Sequence, residues 1–151
     1  MVRCIYIYLM LIGQYFSKIT LKNRISVPKK FRSEIGDKLI VAKWYEGCLV
    51  IVPEIRWKEI LDKLTGKMEI ITKAVRDTDR FILGSAYELE LDAQGRFVIP
   101  AILKEYAGLS ENVIFLGLGE RIELWDEKSW KEKEKSVTVG AAESLESISD
   151  K

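Results

Sequence analysis

Hydrophobic and polar positions divide this chain into short strands and a few helices. Residues 13–28 read as a β-hairpin that turns at residues 20–23, and residues 38–43 and 47–52 form a second pair of apolar, β-branched runs. Pro53 opens a helix, where its missing N–H leaves no bond unmade, and Trp57, Ile60, Leu61 and Leu64 fall on one face of it. Gly66 ends that helix. A second helix is expected over residues 68–83, with Ile71, Ala74, Val75 and Ile82 inward. The pattern then restarts. Residues 87–91 alternate with period two and feed a turn at residues 92–95, and residues 112–118 and 121–125 make another strand pair. Asp126 is placed to cap a final helix over Trp130. From Ser136 onward the residues are small and polar with no aromatic, which predicts a frayed or disordered tail over residues 136–151.

The restart is a repeat. Arg24-Ile25-Ser26-Val27-Pro28 and Arg96-Phe97-Val98-Ile99-Pro100 stand at an offset of 72 positions, each after a turn-forming residue, Asn23 or Gly95. Trp57 falls opposite Trp130 at an offset of 73. Two copies of a supersecondary unit predict a pseudo-symmetric protein. The division is a first module over residues 10–66, a connecting helix over 67–84 and a second module over 85–135. With 48% hydrophobic residues and four Trp in 151 positions the chain can bury a core, but each half alone is marginal in size. The halves are expected to share a core or to oligomerise.

Three readings fit the apolar residues 2–12: an extra strand, a poorly ordered arm, or translated sequence ahead of a natural start at Met10. The last is favoured, which makes residues 1–9 a non-native extension. The stretch is shorter than the roughly 20 residues that span a bilayer and carries no signal-peptide cleavage site. Cys4 and Cys48 lie in apolar surroundings, and there is no His, so reduced buried thiols in a reducing cytosol are expected rather than a metal site. No cofactor is implied.

The second turn has a clear physical logic. Asp92 can accept backbone N–H bonds two residues on, Gly95 can take the left-handed conformation, and Arg96 is close enough to pair with Asp92. In the first turn Asn23 keeps the left-handed position, while Thr20 offers a weaker acceptor and no carboxylate to Arg24. Charge separates the copies further. The 24 basic residues are balanced by 23 acidic ones overall, so any basic surface is local. Lys18, Lys22, Arg24, Lys29, Lys30 and Arg32 supply six basic residues and no acidic one between positions 18 and 32, whereas residues 92–106 sum to zero. Such a run is either a solvated face or a phosphate-binding one.

Several motifs together resemble the MraZ family of bacterial regulators, built from two AbrB-like (SpoVT-type) swapped-hairpin modules. They are Asp92-x-x-Gly95-Arg96-x-x-Ile99-Pro100, residues 105–109, and Gly119-x-Arg121-Ile122-Glu123-Leu124-Trp125. In the first half they are Arg24-x-x-Val27-Pro28, Phe31-Arg32 and Gly47-Cys48-Leu49 before Trp57. The resemblance runs from about Met10 to Lys133. It implies an α+β, mainly β fold, with tandem pseudo-symmetric swapped-hairpin modules forming one double-ψ-type β core flanked by helices. It implies binding of double-stranded DNA through the hairpin loops, at promoter direct repeats upstream of the division and cell-wall gene cluster, by ring-like homo-oligomers. A cytoplasmic, nucleoid-associated protein follows, with no membrane partner and no small-molecule substrate.

Lys18, Lys22, Arg24, Lys29, Lys30 and Arg32 are the expected DNA contacts, since Arg can grip guanine edges bidentately. Arg96 either contacts DNA or locks its own hairpin through Asp92. Arg80, at a position that is commonly basic in the family, either contacts DNA or is an exposed helix charge. Thr20, Asn23, Asp92 and Gly95 are the structural turn residues. Trp57 and Trp130 are expected to pack in the core or at a subunit interface. The alternative function is a protein-binding or assembly module such as an AbrB-like antitoxin. An enzyme is the weakest class: the chain shows no paired nucleophile and base, nor paired carboxylates at plausible sites.

Overall fold

The computed structural model describes residues 10–65 and 72–149, without the side chain of Thr65. Residues 1–9, Gly66 as a helix end, the opening of the expected helix over 68–83 and the last two residues lie outside that range. Among the described residues eight strands and five α-helices follow in order, besides three single-turn 3-10 helices: β1 (Leu11–Lys18), β2 (Arg24–Ser26), α1 (Lys29–Ile35), β3 (Lys38–Lys43), β4 (Leu49–Pro53), α2 (Trp57–Thr65), α3 (Lys73–Ile82), β5 (Tyr87–Glu90), β6 (Arg96–Val98), α4 (Ala101–Tyr106), β7 (Asn112–Gly119), β8 (Ile122–Asp126) and α5 (Glu127–Ser149). The fold is α+β and mainly antiparallel sheet.

Six strands form one sheet in the order β1-β7-β8-β4-β3-β5, which is a palindrome of the two halves. Its edge strands are exchanged. β1 pairs along all eight of its residues with β7 of the second half, and β5 pairs with β3 of the first. The local hairpin expected over residues 13–28 is therefore reduced to a turn and one bridge, Ile19 to Ile25. The close approach of β1 to β7 depends on Gly117, because a Cβ there would stand 2.6 Å from the Ile12 nitrogen and the Leu11 carbonyl carbon.

β3, β4 and β7 are buried on both faces, which is why their sequences are near-continuous apolar runs rather than alternating ones. Leu39, Val41, Leu49, Ile51, Val113 and Phe115 face one core with Phe31 of α1 and Leu103 of α4. Ile40, Ala42, Val50, Val52, Ile114 and Leu116 face a second core with Ile60 of α2, Ile82 of α3 and Trp130 of α5. The halves thus share both cores. Trp57 packs against the second core and Trp130 is buried in it, 5.4 Å from Trp125. Cys48 is buried, its thiol donating to the Tyr45 carbonyl at 3.3 Å, and burial together with the Glu123 carboxylate pushes its pKa far up.

The C-terminal segment corrects an expectation. Residues 136–149 are helical, the continuation of α5, rather than a disordered tail. Lack of aromatic residues argues against burial, but Ala141, Ala142, Glu143, Leu145 and Glu146 favour a helix once one is started, and no Pro interrupts it. Trp130 and the Glu127–Lys131 ion pair anchor its first turns. Asp126, expected to cap this helix, instead accepts from the Ser110 N–H and hydroxyl at 3.0 and 2.7 Å.

Gly117→Ala is expected to lower unfolding free energy by about 1–3 kcal/mol through overpacking against β1. Gly84→Ala, where the added Cβ meets open space, is the control. Denaturant titration of both variants checks this, and equal midpoints would refute the role assigned to Gly117.

Candidate nucleic-acid interface

The two repeated motifs meet face to face. β2 and β6 form a separate antiparallel ribbon in which Arg24 pairs with Val98, Ile25 with Phe97 and Ser26 with Arg96. Ile25 and Phe97 stand at equivalent places in the repeat, so the pseudo-twofold axis passes between them. Both are buried in the first core. Strand alternation then sends Arg24, Ser26, Arg96 and Val98 to the outer face, where the two Arg are diagonal neighbours within about 8 Å. Bonds from Val27 N–H to the Gly95 carbonyl (3.0 Å) and from Ile99 N–H to the Asn23 carbonyl (2.9 Å) extend the ribbon. They place the two turns at its opposite ends, about 13 Å apart by strand rise.

Each turn is tightly held. Asp92 accepts from the Gln94 and Arg96 N–H groups at 2.8 and 3.0 Å, and its second oxygen pairs with Arg96 Nε at 3.0 Å. The backbone N–H of Arg96, followed by that of Gln94 and the Arg96 guanidinium, holds the Asp92 carboxyl below the ordinary carboxylate pKa. Thr20 repeats the pattern with a hydroxyl, accepting from the Lys22 and Arg24 N–H groups at the longer distances of 3.3 and 3.2 Å. The left-handed positions are Asn23 at φ 59° and Gly95 at φ 75°. Arg24 is half-buried, and its guanidinium makes no hydrogen bond or ion pair among the described residues. Arg96 gives Nε to Asp92 and keeps its two terminal nitrogens outside that bond.

The turns are also locked across the axis. Arg32 Nη1 of α1 donates to the Gln94 carbonyl at 2.9 Å, and Lys104 Nζ of α4 donates to Asn23 Oδ1 at 2.9 Å. Each residue follows one motif and secures the other motif's turn. A side chain at Gly95 would collide with the Arg32 guanidinium, so this glycine meets a packing requirement as well as a conformational one. Lys104 was not among the residues singled out by sequence. Its signal was available, since it lies 72 positions after Arg32 and is also basic.

Lys18, Lys22, Lys29 and Lys30 are exposed around this face. The crossing redistributes them. Lys18 and Lys22 accompany the first turn with Lys104, while Lys29, Lys30 and Arg32 follow Val27 and Pro28 to the end that holds the second turn. Arg80 is not brought to the ribbon: it sits on α3, which packs on the second core, and pairs with Asp77 at 2.9 Å. Among the described residues no cluster of His, Cys, Asp or Glu could hold a metal ion, and no helix is long and apolar enough to cross a membrane.

A family described as "MraZ protein, putative antitoxin-like" matches the chain twice, over residues 10–81 and 82–147. The transcriptional regulator MraZ of Caldanaerobacter subterraneus subsp. tengcongensis is 39% identical over 139 residues, which cover 92% of this chain and 96% of that protein. The regulator of the same name from Leuconostoc citreum is 36% identical over 141 residues, covering 93% and 95%. That of Halothermothrix orenii is 42% identical over 121 residues, covering 80% and 84%.

The retained Asp92 carboxylate makes a pH test available. Its depressed pKa means that its contribution to stability is present in full at neutral pH and is lost as pH falls through the folded-state value, below 3.8. Asp92→Ala is expected to melt below wild type at neutral pH and lower than Thr20→Ala does, and the Asp92→Asn deficit is expected to shrink toward acid. Melting curves of the three variants across pH check this. A constant Asp92→Asn deficit, or equal melting of Asp92→Ala and Thr20→Ala, would count against a special role for the carboxylate. The two matches together span nearly all the described residues, and the chain belongs to the MraZ family.

Proposed function

We propose that this chain is a transcriptional regulator that binds double-stranded DNA in a sequence-specific way through the outer face of the β2–β6 ribbon. The observation that carries the reading is the pair of arginines displayed side by side between two rigid, lysine-flanked turns. A major groove about 12 Å wide admits a two-stranded ribbon, and an Arg there can bond guanine O6 and N7 together. Arg24 and the terminal nitrogens of Arg96 serve as base readers, and Lys18, Lys22, Lys29 and Lys30 neutralise phosphates. Arg32 and Lys104 position the turns and add positive charge. Arg80 stands apart from this surface and is a secondary contact only if another copy or the DNA path brings it close. By family resemblance the operator is a set of promoter direct repeats upstream of the division and cell-wall gene cluster, and the protein acts in the cytoplasm at the nucleoid. The palindromic strand order supports assigning the core to the double-ψ swapped-hairpin class.

Repeated operator elements call for repeated readers. The edge strand β1 leaves Ile12 and Phe16 more than half exposed, and the free length of α5 exposes Val137, Leu145 and Ile148. Exposed apolar surface beside a sheet edge supports self-association into the ring-like oligomer that the family resemblance implies. Phe16→Glu is expected to reduce the mass seen by light scattering while the monomer fold persists. An unchanged mass would remove this strand from the contact.

A second reading, an antitoxin-like module that holds a partner protein, draws on Val98 and Ile102, each more than half exposed beside the first turn. Salt separates the two. DNA affinity governed by these cations falls steeply with salt, by a log–log slope of about 0.9 per phosphate contacted, whereas an apolar protein contact is far less sensitive. In an electrophoretic shift with the DNA upstream of the chain's own reading frame, Arg24→Ala is expected to weaken binding by about 1–3 kcal/mol if it reads a base, with unchanged melting temperature. Unchanged affinity at low and moderate salt would overturn the site.

A further inference from the structure

One side chain at the ribbon has no role in the fold. Leu21 is fully exposed at the tip of the first turn, the most exposed of the large apolar residues among those described. The tip is not loose. Asn23 N–H bonds the Thr20 carbonyl at 2.9 Å, two further N–H groups bond Thr20 Oγ1, and Lys104 holds Asn23 from the other side. The second turn carries Ala93 at the equivalent place, so a large apolar tip belongs to one turn only.

The surroundings define what fits it. Leu21 borders an open groove of about 600 Å³ with Lys18, Asn23 and Lys104, in which Glu111 is the one carboxylate on the lining. Lys22 follows it in the chain. A partner matched to this tip presents anions to the surrounding cations and an apolar group to the centre. On the groove edges of duplex DNA the thymine C5-methyl is the apolar substituent, and it lies in the major groove that a ribbon enters. We propose that Leu21 is a specificity-determining residue that packs on the C5-methyl group of an operator thymine. The proposal rests on DNA binding by the ribbon face, and it adds a thymine preference beside the positions read by Arg24. Because the Leu21 side chain is fully exposed, its replacement leaves stability unchanged and alters recognition alone.

The test removes the methyl group without altering base pairing. The full chain is titrated against the duplex upstream of its own reading frame, prepared once with thymine and once with uracil throughout, for wild type, Leu21→Ala and Arg24→Ala over a salt series. Wild type is expected to bind the uracil duplex about fourfold more weakly for one methyl contact. Leu21→Ala is expected to match that weakened affinity on the thymine duplex and to lose nothing more on uracil, with a wild-type melting temperature. Equal wild-type affinity for the two duplexes overturns the proposal. So does a uracil penalty that persists in Leu21→Ala, which would place the methyl contact elsewhere. A Leu21→Ala loss equal on both duplexes also overturns it, in favour of insertion between base steps or a protein partner. If binding still depends on salt and on Arg24 in these cases, the DNA reading stands and only the thymine contact falls. Failure of wild type to bind either duplex, or indifference to Arg24→Ala, removes both.

Discussion

The pairing of Ile25 with Phe97 is the constraint on which the rest depends. Two residues 72 positions apart are brought opposite each other and buried under the sheet, and the chain must cross between its halves to do it. Once that pair is inside, strand alternation puts the flanking arginines outside. The turns then fall at opposite ends of the ribbon, and the strands that lead into them pair with the other half. Neither half can be removed without stripping an edge strand and half of each core from its partner.

The crossing also changes how charge is divided. Read along the chain, the first copy is the basic one and the second is neutral. In space each end of the ribbon is composite. Lys104 from the neutral copy secures the first turn, and Arg32 from the basic copy secures the second, with Lys29 and Lys30 beside it. Positive charge therefore reaches both turns. What still distinguishes them is local chemistry: a carboxylate and a small tip in one, a hydroxyl and a bare leucine tip in the other.

Much of this was readable in the residues. The repeat, the turn positions, the left-handed Asn23 and Gly95, the Asp92–Arg96 pair and the weaker Thr20 substitute all depend on contacts within about four residues, which spacing reveals. Core packing of Trp130, one of the two roles expected for it, was readable from its place opposite Trp57 in the repeat. Three features were not. The expected hairpin over residues 13–28 yielded to an exchange with β7, because alternation specifies a strand but not its partner. The helical continuation of α5 was masked by composition that signals exposure rather than disorder. The Arg32 and Lys104 locks span 62 and 81 positions: the repeat marks the two residues as counterparts, but no local pattern announces which turn each one holds.

Sequence by itself determined the elements up to the start of the last helix, the twofold repeat and the chemistry of each turn, since these follow from short-range hydrogen bonding and the period of apolar residues. Only the tertiary structure decided which half each strand serves, which cations gather at which turn, and that Arg24 and Arg96 stand side by side while Arg80 stands apart. The physical reason is burial. Ile25, Phe97 and the two-sided strands leave water only if the halves interleave, and surface charges go where that interleaving carries them.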